Sequence, residues 1–517
     1  MAYFIGCDLG TTATKAGIFD MKGNLLASAR RESKIHYGKD GSVIQDPYEM
    51  LHTVVECVRE TVEKSNISPS DIGALALDGQ MAGIMGVAAD GEPATPYDSW
   101  LDIRSAPYAE KMKREGGDLV ASRSGMDPSI NHGPKILWWK YEHPEVYHQI
   151  ACFTVPSCWV LQKMAEIPGE GTFLDYTYLH FSCFADLANN TWDREIVQLF
   201  EVEEEKLPRI VEPWAVVGKI QKKWAEACGL TEGTPLVAGC GDQAANVLGA
   251  GIVEEGMAFD VAGTASCFCL NVKDFAPDTK YKTLLFPRSV LPDFFYPMAY
   301  INGGGMDLEW AKNELFRDMA GQQNVFSRIT EVVEKKTPYP LGVVFIPHLR
   351  GRNCPTQPDM RGVWAGFSWD HSREHLFRAI LEGIAFEYAF YLGIMKELMP
   401  QSQIETVRVV GGGAKSAFWN TIKASILGVP YLELDREEYA IWGAALVAGH
   451  AVGAIADLSA HSAASTQVTR THQPVAELSE HYRDMIPFYL ETMEKMGDTF
   501  TAHRHLMQEG KKKSSGV

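Results

Sequence analysis

The chain has 517 residues, 46% apolar and 22% charged, which is enough core-forming material for roughly two to four domains and excludes a disordered chain. Lys and Arg number 48 against 66 Asp and Glu, a net charge of −18 that repels nucleic acid and anionic membrane surfaces. Ten Cys occur without a CxxC pair or zinc-like Cys/His spacing, so Cys267 and Cys269 are expected to be small buried hydrophobes on one strand.

The stretch Met1–Asp8 has no basic run and an early acid, unlike a signal peptide, so a soluble cytoplasmic protein is expected. Short strands are predicted over Tyr3–Cys7, Lys15–Asp20 and Leu25–Ala29, broken by Asp8-Leu9-Gly10-Thr11-Thr12 and Lys22-Gly23-Asn24. Met50, Leu51, Val54, Val55 and Val58 recur at helical spacing and predict a helix over Pro47–Glu63. Ile72–Leu77 reads as a buried strand, punctuated by Asp78-Gly79-Gln80-Met81. The second half restarts the pattern, with a strand over Leu236–Gly239, a helix from Asp242 towards Gly251, and a strand over Met257–Val261. Thr406–Val410 is predicted as a strand and Ala417–Leu427 as a helix. Strands alternating with helices predict an α/β fold.

Asp8-Leu9-Gly10-Thr11-Thr12-Ala13-Thr14 and Asp260-Val261-Ala262-Gly263-Thr264-Ala265-Ser266 are similar, as expected of a duplicated domain with a turn opening each half. The domains are placed at 1–250 and 251–510, with a hinge near Gly249–Glu255 and a frayed tail over 511–517. Tyr439–Ala456 lacks formal charges, but its Gly and Ala content predicts a close-packed helix rather than a membrane span.

Neither GxxxxGK[ST] nor a GxGxxG after a strand is present. In Asp8-Leu9-Gly10-Thr11-Thr12 the Gly admits close approach of a ligand, the hydroxyls can bond phosphate, and the carboxylate can hold a hydrated magnesium ion. A plain hairpin turn is the alternative. Gly411-Gly412-Gly413-Ala414-Lys415-Ser416 lies between a strand and a helix N-terminus, where bare backbone and the helix dipole suit a nucleotide. Asp242, in Gly239-Cys240-Gly241-Asp242-Gln243, is either a helix N-cap or a general base for a sugar hydroxyl. Gln80, Met81, Trp100, Asp102 and Arg104 supply the polar groups and aromatic wall of a carbohydrate site.

Together with Gln45-Asp46-Pro47, Pro134-Lys135-Ile136-Leu137-Trp138 and the Arg361–Phe367 and Leu376–Gly383 stretches, these motifs resemble the FGGY carbohydrate kinase family. Within it, Gln80-Met81 followed by Trp100-x-Asp102-x-Arg104 is most similar to the xylulose kinases. The resemblance implies two actin-like (ribonuclease H-like) ATPase domains with an interdomain cleft. It implies transfer of the ATP γ-phosphoryl group to a sugar, a pentulose such as D-xylulose or alternatively L-xylulose, ribulose, erythritol or glycerol. It further implies Asp242 as base, Asp8 holding Mg²⁺ through water, and a nucleotide set of Gly10, Thr11, Thr12, Lys15, Gly263, Thr264, Gly305, Glu309, Gly412, Gly413 and Ala417. Gln80, Met81, Ala82, Trp100, Asp102, Arg104, Asn131, His132 and Gln243 are the implied sugar-side residues. Ala82 stands where xylulose kinases usually carry His, Gly351-Arg352-Asn353-Cys354-Pro355 replaces a Gly-Glu-Arg-x-Pro, and Ser157-Cys158-Trp159 replaces an Asp-Tyr-Leu. Sugar and ATP are the expected partners, without nucleic acid or membrane, and a homodimer is compatible with this reading. A nucleotide-driven chaperone would need a peptide-binding domain for which no segment remains. A silent sugar-binding regulator is expected to lose Asp242 or Gly263-Thr264, and both are present.

Overall fold

The computed structural model describes residues 3–340 and 342–514. β1 (Tyr3–Leu9), β2 (Ala13–Phe19) and β3 (Leu25–Glu32) form an antiparallel meander, with β1 and β2 buried along most of their length. α1 (Pro47–Ser65) is capped by the Asp46 carboxylate, which accepts the Tyr48 N–H, and buries the predicted apolar positions. β4 (Ile72–Gly79) lies parallel to β1. After α2 (His132–Glu142) and α3 (Pro156–Met164), β5 (Val216–Lys219) and β6 (Pro235–Gly241) complete a sheet in the order β5-β6-β4-β1-β2-β3. α4 (Asp242–Gly249) leads out of it.

The second half repeats this sheet strand for strand. β7 (Met257–Ala262), β8 (Ser266–Leu270) and β9 (Met298–Ile301) are again a meander. α5 (Gly305–Leu315), α6 (Val325–Lys336) and α7 (Arg373–Leu398) lead to β10 (Thr406–Val410), parallel to β7. α8 (Ala417–Leu427), β11 (Tyr431–Leu434), α9 (Tyr439–Ala451) and β12 (Val468–His472) follow, giving the order β12-β11-β10-β7-β8-β9. Strand directions match pair by pair, so the echoing segments lie at equivalent turns of two like sheets. Asp8 and Asp260 nevertheless face opposite sides: Lys15, across from Asp8, meets Glu438 at the head of α9, whereas Asp260 meets Tyr388 on α7 and Lys423 on α8.

The packing crosses the expected boundary at residue 250. α1 covers one face of the first sheet, and α9, from the second half, covers the other against β1, β4 and β6. Gly6 makes that approach possible, since a Cβ there would lie 1.8 Å from the Ile441 carbonyl oxygen. Gly443 does the same where α9 crosses α4, 2.0 Å from the Ala245 carbonyl oxygen. Tyr439–Gly449 is buried throughout, which explains a run without charges; no described helix is long and apolar enough to cross a membrane. The last helix, α10 (Ala476–Ser514), includes residues 511–514, so the tail expected to fray is helical there, and 515–517 lie outside the described residues.

Candidate active site

β1, β4 and β6 end side by side. Asp8 and Asp78 are cross-strand partners, and Asp242 follows Gly241, the partner of Gly79. Gly239, at φ +74°, shifts the register of β6, and any Cβ there would sit 1.7 Å from the Leu77 carbonyl oxygen. The Tyr178 hydroxyl lies 3.2 and 3.1 Å from the carbonyls of Gly79 and Cys240, and Thr177 Oγ1 accepts the Gly241 N–H at 2.9 Å. Both brace the ends of β4 and β6. Ser157, a departure from the family pattern, adds a contact at 3.2 Å to the same Tyr178 hydroxyl.

Asp242 is the first residue of α4 and Gly241 is its cap, so the N-cap alternative is overturned. Its Oδ1 accepts the Gln243 N–H at 2.6 Å. Burial foremost, and the charge of Asp8 next, push Asp242 up to about 7. Burial raises Asp8 to about 6 despite Lys15 nearby. Asp78 is raised well above the usual carboxylate range by burial, then by Asp8 and Asp242. Lys15, expected at the phosphates, instead has its ammonium 2.9 Å from both oxygens of Glu438. Asp8 Oδ1 and both oxygens of Asp78 are buried without a hydrogen-bond partner. Among the described residues no three His, Cys, Asp or Glu side chains are grouped to ligate a metal. This donor set fits a cation held largely through water and phosphate oxygens, not a closed protein cage.

Among the residues expected at the sugar, Trp100 Nε1 donates to Thr11 Oγ1 at 2.9 Å, and Thr11 Oγ1 donates to Gln80 Oε1 at 3.2 Å. The Thr11 hydroxyl, expected at the phosphates, is thus the joint between Trp100 and Gln80, while Thr12 is exposed beside Gly10. Gln80 Nε2 in turn donates to Gln45 Oε1 at 2.8 Å. Met81 packs against Gly241, where a Cβ would meet its Cε at 2.3 Å, and Ala82 and Gln243 are partly open. Asp102 and Arg104 do not offer unengaged groups to a sugar. Arg104 donates from Nε to Asp102 and from Nη2 to Asp98 at 2.6 Å, and it stacks 4.2 Å over the Trp138 ring. Asp102 Oδ2 also accepts the Val43 N–H, so this pair anchors the loop that carries Trp100. Asn131 is buried between Met126 and Cys183, and His132 Nε2 lies 2.7 Å from the Met81 carbonyl oxygen, so both support the wall from behind.

A cavity of about 540 Å³ is lined by Gly263, Thr264, Gly305, Glu309, Gly412 and Gly413, all of them expected at the nucleotide. Ala417 is not among its lining residues. It begins α8, and Ser416, which caps that helix, and Trp419 take its place in the wall. Sequence reasoning also missed Phe326 and Thr330 on α6, and Phe377 and Leu381 on α7. Each is an i, i+4 pair, a readable signal for a shared helix face that does not tell which neighbour the face meets. Adjacent Glu437 and Glu438 reach Lys415 at 2.8 Å and Lys15 at 2.9 Å. Arg352, in the departure from Gly-Glu-Arg-x-Pro, is buried on Glu387 at 3.3 Å, away from this cavity.

Residues 3–249 match the N-terminal domain of the FGGY family of carbohydrate kinases, and residues 258–452 match its C-terminal domain. The chain is 26% identical over 509 residues to the xylulose kinase of Bacillus subtilis (strain 168), covering 97% of this chain and 99% of that protein. It is 24% identical over 513 residues to the gluconokinase of Bacillus licheniformis, covering 97% of each. The crystal structure of ligand-bound xylulose kinase from Lactobacillus acidophilus superposes with a TM-score of 0.87 at 22% identity, over 97% of this chain and 100% of that one. The last likeness shows the fold, two actin-like domains.

Proposed function

Because the chain belongs to the FGGY family of carbohydrate kinases, ATP-dependent phosphotransferases acting on sugar hydroxyls, we propose that its acceptor is a small neutral ketose, a pentulose such as D-xylulose. In this reading Asp242 is the general base. The observation that carries it is Asp242 itself: partly exposed at the ends of β4 and β6, one oxygen fixed by the Gln243 N–H, its pKa held up at about 7. The sugar hydroxyl oxygen forms a bond to the γ-phosphorus as the bond from that phosphorus to the β-phosphate oxygen breaks. ADP leaves, and the hydroxyl proton passes to Asp242. Gly263, Thr264, Gly412 and Gly413 cradle the nucleotide with backbone and hydroxyl groups, while Trp100 and Met81 wall the sugar. A divalent cation at Asp8 supplies charge neutralisation to the phosphates when bound. Arg104 and Lys135 are both engaged, Lys135 Nζ donating to the Asp102 carbonyl oxygen at 2.9 Å, so this wall favours a neutral sugar over a sugar acid such as gluconate.

ADP release measured across ketoses, aldoses, polyols and gluconate tests the reading; the largest kcat/KM is expected with a pentulose. ATP turnover indifferent to every sugar would sink the kinase assignment, and a preference for gluconate would sink the neutral acceptor. Ala82→His is expected to shift preference towards D-xylulose, chiefly through KM, because an added imidazole contacts ground and transition state alike. If kcat/KM is unchanged for the whole panel, residue 82 does not touch substrate.

The raised pKa of Asp242 sets two opposite pH slopes. A base must be ionised, so kcat/KM is expected to fall about tenfold per pH unit below about 7 and to level off above it. Stability runs the other way. The folded carboxyl binds its proton more tightly than the unfolded one, so this contribution is full below about pH 4 and is lost as pH rises through about 7. Rate–pH and melting profiles of the ligand-free protein check both signs.

A further inference from the structure

Asp78 takes no part in the chemistry above, yet it is placed at the centre of the carboxylate cluster. Its side chain is 0% exposed, and neither oxygen has a hydrogen-bond partner. It sits in register with Asp8, and the two carboxyls are in side-chain contact. A buried carboxylate without a partner is costly, and several other buried acids of this chain are paired. Glu387 has His348 and Arg352, Glu382 has Arg378, and Asp260 has Lys423 Nζ at 2.5 Å. Asp78 instead faces a second acid, Asp8, while Lys15 is turned to Glu438.

We propose that Asp78 is a second carboxylate of the cation seat at Asp8, so that this chain takes up a divalent cation before any nucleotide arrives. Hard divalent cations accept one or two carboxylates and complete their shell with water, a donor set that Asp8 and Asp78 match. The inference rests on the reading that Asp8 faces the cation. The rival is a pair of carboxyls sharing one proton, with no affinity for metal.

The test uses the full chain with Mn²⁺ alone, without sugar or nucleotide, following free Mn²⁺ by electron paramagnetic resonance at pH 7.5. One site per chain is expected, weakened tenfold or more in Asp78→Asn, together with loss of the Mn²⁺-induced rise in Tm. Asp78→Ser, which removes the carboxylate with less bulk, is expected to behave the same and covers the case in which the amide misfolds. Equal Mn²⁺ affinity in wild type and both variants, or no site in wild type, would overturn the proposal. Sugar-dependent ADP release by wild type reports separately on the kinase reading. Normal turnover with unchanged Mn²⁺ binding counts against Asp78 alone, whereas normal Mn²⁺ binding without sugar-dependent turnover counts against the assigned acceptor.

Discussion

Asp242→Asn is expected to lower kcat by on the order of 10²–10⁴ while sugar and ATP still bind. The amide keeps the shape, and its Oδ1 can still accept the Gln243 N–H that fixes this side chain at the head of α4. What it loses is the capacity to accept the hydroxyl proton. Phosphoryl transfer asks a protein mainly to position groups and stabilise charge, so the remaining site retains much of its rate advantage over water. The same variant is expected to melt no lower than wild type at pH 8. Burial and Asp8 raise the pKa of Asp242 to about 7, so an ionised Asp242 opposes folding by on the order of 1–4 kcal/mol. Calorimetric binding, melting and initial rates on this one protein decide the matter. A stable variant with near-normal kcat means that the proton leaves by another route.

Lys423→Met is expected to cost about 3–5 kcal/mol and to lose most folded protein at 37 °C. Lys423 and Asp260 are both wholly buried with Nζ–Oδ2 at 2.5 Å, and the Tyr388 hydroxyl donates to the other oxygen at 2.9 Å. Removing the ammonium strands a carboxylate in the core of the second sheet. Adding Asp260→Asn is expected to recover most of the loss, because the amide carries no charge and still accepts from Tyr388. Denaturant unfolding of the single and double variants measures the coupling. If Lys423→Met costs less than about 1 kcal/mol, the ion pair does not hold this sheet together.

The sequence makes some of these features readable and hides others for physical reasons. The meander strands are short apolar runs between turn residues, and α8 coincides with the predicted Ala417–Leu427 because Ser416 and Gly428 mark its ends. Gly263-Thr264 and Gly412-Gly413 are legible as bare backbone at strand ends, and they line one cavity. Asp78 read only as punctuation, since its importance depends on register with Asp8 across sixty-odd residues of intervening chain, which no local pattern encodes. Asp102 and Arg104 carry the right chemistry for a sugar, but side-chain pairing consumes it. The Thr11 hydroxyl is likewise engaged out of sight of any local pattern, by Trp100, 89 residues away.

The position of α9 has a consequence for how the protein is made. Phe4 and Gly6 on β1 face a helix that follows α4 by roughly 200 residues of chain. At about 5–20 residues per second, the ribosome delivers that cover on the order of 10–40 s after the strands of the first sheet have emerged. Throughout that interval one apolar face of a six-stranded sheet stands open. A polypeptide ending near residue 250 never closes it and is expected to aggregate. The nascent first half is therefore a natural client for holding chaperones until the second half reaches back to it.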